Sequence, residues 1–231
     1  MSTLTDHGTT RPATTPASRT QTLPLPLRLA NALPDAVTAG IFLSAWIAPF
    51  AWRATLVSEL MLVMLVEFIL IHAAPFLGGV VLADGEPLRQ RLRLFAGLTV
   101  LYSVFIAGFA LPFKSWWPVL AFTWLAGAKL VLLLGGRQHG THDRQRMRGY
   151  WGASVGFYLL AVLATLFLPV PEFGITRHGA AYGIPGSGAW VSHPHTVISA
   201  GCLYFGLLAL TKMLERPAWW RASGPGTAET A

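Results

Sequence analysis

Six stretches of this chain are so apolar, and so close in length to the thickness of a lipid hydrocarbon core, that few folds remain open to it. They cover about residues 36–52, 55–83, 94–113, 116–135, 150–170 and 192–214. At about 1.5 Å of rise per residue, each reaches or approaches the roughly 30 Å needed to cross a bilayer as a helix. A segment in lipid must satisfy its own backbone hydrogen bonds, and a helix does so internally. The sequence therefore predicts an all-α polytopic membrane bundle of about six transmembrane helices.

Composition agrees. Only 12% of residues are charged and 53% are hydrophobic, whereas a water-soluble domain carries about 25% charge. The formal net charge of +7 does not point to nucleic acid, because the basic residues fall between apolar runs and form no stripe on one soluble face. They read as topology signals that also face anionic lipid. Most of the nine Trp lie near run ends, where interfacial aromatics belong.

The ends differ from the middle. Residues 1–28 are rich in Thr, Ser, Pro and Ala with scattered Arg, and read as a disordered cytoplasmic tail. Residues 29–216 form the membrane domain, and 217–231 a short C-terminal tail. With six spans, Arg11, Arg19, Arg28, Arg89, Arg91, Arg93, Arg137, Arg144, Arg146, Arg148, Lys212, Arg216 and Arg221 share one side; Arg53, Lys114 and Arg177 take the other. This bias puts both termini in the cytoplasm and the protein in a cell membrane of bacterial inner-membrane type. Ala36, Gly40 and Ser44, and again Gly152 and Gly156, recur every four residues, a spacing that allows helices to approach closely.

Ionisable groups inside the runs are the candidates for function, since they are costly in hydrocarbon and face a bundle interior. Run two holds Glu59, Glu67 and His72, and run four holds Lys129. Counted from the outer ends, Glu67 lies roughly 18 Å and Lys129 roughly 20 Å into the membrane. Their matching depth and opposite charge predict a Glu67–Lys129 pair, whether as an ion site or as a device fixing helix register. Pro75 should kink run two and free the carbonyl of Ile71 beside His72.

At the outer surface, His193 and His195 begin run six, and Glu59 begins run two. Together they could hold a divalent metal, provided that Pro194 opens the helix and His193 is still outside it. His139, His142 and Asp143 sit in a loop whose arginines would repel a cation. Gly152-Ala153-Ser154-Val155-Gly156 matches the hydrolase elbow in letters, but the elbow needs a strand, a turn and a helix. Cys202, the single cysteine, permits no intrachain disulfide.

These residues support binding or transport of a small molecule or ion through an intramembrane polar cavity. One rival is a non-catalytic membrane subunit or scaffold with a protein partner or a second copy. The other is a metal-dependent membrane enzyme with its His/Glu site at the outer face. Nothing in the motifs argues directly for catalysis.

Overall fold

The computed structural model describes residues 25–53, 55–83, 85–135 and 141–214, with the backbone alone for 141–148. The expected tails at 1–24 and 217–231 lie outside them, as does His139, and nothing is described of the His142 and Asp143 side chains. Helices are the regular elements of the described residues, which contain no strands: α1 (Leu25–Ile47), α2 (Leu56–Val81), α3 (Leu88–Ala110), α4 (Trp117–Leu134), α5 (Thr141–Phe167), the short α6 (Ala189–Ser192) and α7 (Pro194–Leu214). A 3-10 turn at Gly179–Tyr182 precedes α6.

Five helices are long and apolar enough to cross a membrane: α2, α3, α4, the Gly149–Phe167 part of α5, and α7. This architecture is compatible with an integral membrane protein. α1 is equally long, but Arg28, Asn31 and Asp35 interrupt its first half. It also begins earlier than run one. Pro26 suits a first turn, and Pro34 is carried inside the helix, where Thr38 Oγ1 donates to its carbonyl at 2.8 Å. Residues 25–28, expected in the tail, are therefore helical. Asp35, one residue before the expected start of run one, lies well inside α1.

α2 is the centre of the bundle. Its sequence is apolar on every side, as a helix surrounded by other helices requires, and it packs against α3 and α4 on one side and α5 and α7 on the other. Two cores result. One joins Phe42, Val57, Met64, Tyr158, Val197 and Tyr204 from α1, α2, α5 and α7. The other joins Leu62, Val66, Ala73, Phe95, Ile106 and Phe122 from α2, α3 and α4. Half of the most apolar window of α2 is buried (50%), against 11% for α3. The outward faces of α3 and α4 carry Val100, Val104, Trp124 and Val131, all strongly exposed, as lipid-facing helices do.

The tightest helix pair is α1 on α7. Phe42 is fully buried over Gly201 and stacks on Phe205 at 5.6 Å. Further along, Asp35 meets Lys212, and Arg28 reaches the carbonyl of Met213. These pairings run in opposite chain order, so the two helices are antiparallel. α2 and α7 are parallel: Ser58 lies near the turn before α7, and Glu67 beside Tyr204.

The small-residue spacings are not used in this packing. Gly40, Gly152 and Gly156 have open space where a Cβ would stand, and all three are exposed. α1 contacts α7 through Ala32, Asp35, Phe42 and Ala45 instead, a three-and-four spacing on its opposite side.

Candidate functional site

Glu67 sits eleven residues into α2, roughly 17 Å along it. Tyr204 sits ten residues into α7, roughly 15 Å along that helix. Because the two helices are parallel, these positions meet, and the Tyr204 hydroxyl donates to Glu67 Oε1 at 2.7 Å. Tyr158 of α5 stands edge-on to Tyr204, ring centroids 5.4 Å apart, and its hydroxyl donates to the Met64 carbonyl at 2.9 Å. Asp35 of α1 is ion-paired with Lys212 of α7, and both lie within electrostatic reach of Glu67. A carboxylate half-way along α2 thus accepts from one hydroxyl, with a charged pair further along α1 and α7. A hydrogen bond to a charged group is stronger than a neutral one and offsets part of its desolvation.

This arrangement corrects the Glu67–Lys129 expectation. No ion pair joins the two, because they lie on opposite sides of α2. Glu67 continues the Leu60–Met64–Ile71 face, which packs toward α7 and α1. Lys129 falls in the Phe122–Ala126–Leu133 stripe of α4, which packs toward α2 and α3. Lys129 is half-buried and has no hydrogen bond or ion pair among the described residues. Glu67 stands eleven residues into α2 and Lys129 twelve residues into α4; the direction in which each faces keeps them apart.

The outer metal set is also corrected. Pro194 does open α7, and His193 is non-helical, with φ −129°. The two imidazoles come to 5.9 Å between centroids, as the spacing required. Glu59, however, is held within its own turn by Arg53 and by Thr55 Oγ1 at 2.9 Å. Among the described residues no three of His, Cys, Asp and Glu gather in a way that could hold a metal ion. His195 is buried and His193 exposed.

His72 differs in detail. α2 runs through Pro75 as one helix. The imidazole Nδ1 donates to the Phe68 carbonyl at 2.7 Å, and the ring lies 4.5 Å from that of Phe68. It is thus occupied one turn back, away from the Ile71 carbonyl.

Sequence reasoning missed Tyr204, Tyr158, Asp35 and Lys212 as members of a site. Asp35 had one usable signal: it precedes Phe42 by seven residues, so the two share a helix face. The tyrosines had none, since an apolar helix tolerates Tyr on any face.

At the opposite end, residues 168–193 form an ordered roof over the helix ends. The Trp46 indole donates to the Pro171 carbonyl at 2.9 Å, and the Gly174 amide to the Trp46 carbonyl at 3.0 Å. Gly174 is needed there, since a Cβ would lie 2.3 Å from the Ile47 carbonyl oxygen. Ser58 Oγ donates to Gly183, and His178 to the Ser192 carbonyl. Tyr182 stacks on Phe50 at 5.4 Å and is 1% exposed, and its hydroxyl has no partner among the described residues.

Comparison with family models, curated proteins and solved structures returned no match.

Proposed function

We propose that this chain is an integral membrane protein of six crossings that binds a proton at Glu67 and couples it to movement of a small ion or molecule. The observation that carries the reading is the Glu67–Tyr204 hydrogen bond half-way along two central helices, beside the Asp35–Lys212 pair. Ionisable groups within membrane helices are rare and mark ion pathways and proton relays. The chemistry suits a proton. A divalent metal asks for three or more donors in zinc sites and six or more oxygens in calcium sites, whereas a proton needs one base. α1 supplies the sixth crossing, and the alternating helix directions then place both termini together. The basic bias makes that side the cytoplasmic face of a bacterial-type inner membrane, against anionic lipid.

The test is infrared spectroscopy of the protein in lipid across a pH series, wild type against Glu67→Gln. Glutamine keeps an oxygen to accept from Tyr204, so the fold is retained. A protonated-carboxyl band that changes with pH in wild type and is missing in the variant is expected. Identical spectra would overturn the reading.

A second reading is a non-catalytic membrane subunit with a protein partner or a second copy. What favours it is the pair of small-residue stripes, Ala36–Gly40–Ser44 and Gly152–Gly156, which face outward from the bundle. In that case Glu67 only fixes the register of α2 on α7, and it shows no titration.

A further inference from the structure

We infer that Glu67 is reached by water and ions only from the end of the bundle where α7 finishes at Leu214, along the Asp35–Lys212 pair, and that the 168–193 roof and an apolar layer beneath it seal the other end. The inference rests on the reading of Glu67 as an ion-binding group and adds its side of access.

The two directions out of Glu67 are chemically different. Toward the roof, the neighbouring helices contribute fully buried apolar side chains, Val57 and Met64 of α2, Ala161 of α5, Val197 and Ile198 of α7, and Phe42 and Ala45 of α1, together with the buried hydroxyls of Ser58, Thr165 and Ser199. The hydroxyls among them are each engaged with a carbonyl, Ser58 with that of Gly183, Thr165 with that of Ala161 and Ser199 with that of Thr196, and the apolar side chains offer nothing to replace the hydration of a passing ion, a loss that is costly. The roof then closes over it through the Trp46–Pro171, Trp46–Gly174 and Ser58–Gly183 hydrogen bonds and the Phe50–Tyr182 stack.

Toward Leu214 the apolar Ile71, Leu208 and Ala209 are joined by a charged and partly open pair. The Lys212 side chain is 36% exposed and that of Asp35 14%, so the pair leads from the half-buried Glu67 toward solvent or headgroups at that end. A long lysine stem can keep its ammonium near the interface while its carbons stay among apolar groups. The groups facing Glu67 come from each packed element: Asp35 from α1, Tyr158 from α5, and Tyr204 and Lys212 from α7. None of the charged ones lies on the roof side.

The test is one-sided thiol labelling in proteoliposomes. In a Cys202→Ser background, Glu67→Cys is treated with a small membrane-impermeant cationic thiol reagent added from either side. Lys212→Cys and Trp52→Cys mark the two sides. A thiol must ionise in water to react, so labelling reports water contact. Glu67→Cys should label from the Lys212 side and not from the Trp52 side. Should that variant fail to fold, Leu208→Cys, one turn past Tyr204, should label from the Lys212 side, and Ile198→Cys should label from neither. Labelling of Glu67→Cys or Ile198→Cys from the Trp52 side overturns the inference, as does lack of labelling at both Glu67→Cys and Leu208→Cys. Labelling as expected without an infrared titration of Glu67 would retain the access path and remove the proton reading.

Discussion

Replacing Gly201 by alanine tests the packing that holds α1 on α7. A Cβ at that position would stand 2.2 Å from Cε1 of Phe42, 2.4 Å from Cδ1 and 2.6 Å from Cζ. Carbon atoms rest at about 3.5–4.0 Å, so the ring or the helix must retreat by more than about 1 Å. The ring has nowhere to go, being fully buried and stacked on Phe205. Overpacking of this kind costs about 1–3 kcal/mol, and Gly201→Ala should lower stability by that amount in a reversible SDS titration of the micellar protein. Phe42→Ala alone removes the ring and costs about 3–5 kcal/mol on the scale of soluble cores. In the double variant the new methyl enters the space that the ring vacated, so it should be no less stable than Phe42→Ala alone. The coupling energy then equals the cost of Gly201→Ala with opposite sign, far above the few tenths expected of independent sites. A neutral Gly201→Ala, or a double variant equal to the sum of the singles, would refute the packing argument.

Two further outcomes follow from the structure. Arg91 donates to the Val80 and Val81 carbonyls at the C-terminal end of α2, where a cation is favoured by the helix dipole; Arg91→Ala should cost about 0.5–1 kcal/mol in the same titration, and Arg91→Lys should recover part of it, whereas an unchanged midpoint in Arg91→Ala would contradict the capping role. Asp35→Asn and Lys212→Met should each destabilise by about 1–3 kcal/mol, a buried-pair penalty discounted for partial exposure. The double substitution should cost less than the sum of the two; strict additivity would show that the ion pair contributes nothing.

Much of the axial layout was legible in the sequence. Run two, expected at 55–83, is α2 at Leu56–Val81, and run four, expected at 116–135, is α4 at Trp117–Leu134. These helices end where apolar sequence ends, because hydropathy reports directly on where a helix would leave lipid. Run one was less legible. Pro34 and Asp35 look like a helix start, and only the partnership of Asp35 with Lys212 makes a place for that carboxylate inside α1. The roof falls between runs five and six, and its contacts with Trp46 and Ser58 join residues more than a hundred positions apart, which no local pattern encodes.

The site divides in the same way. Sequence determined that Glu67 and Lys129 are ionisable groups about equally far into their helices, because that position follows from counting residues along a helix of fixed rise. Tertiary structure decided that Glu67 faces Tyr204 while Lys129 faces the other side of α2. The physical reason lies in α2 itself. An apolar stripe tells a surface helix which way to turn, but α2 is apolar all round, so its rotation about its own axis is set by which neighbours pack on each side. That choice is made by shapes such as Phe42 over Gly201, and they come together only when the bundle closes.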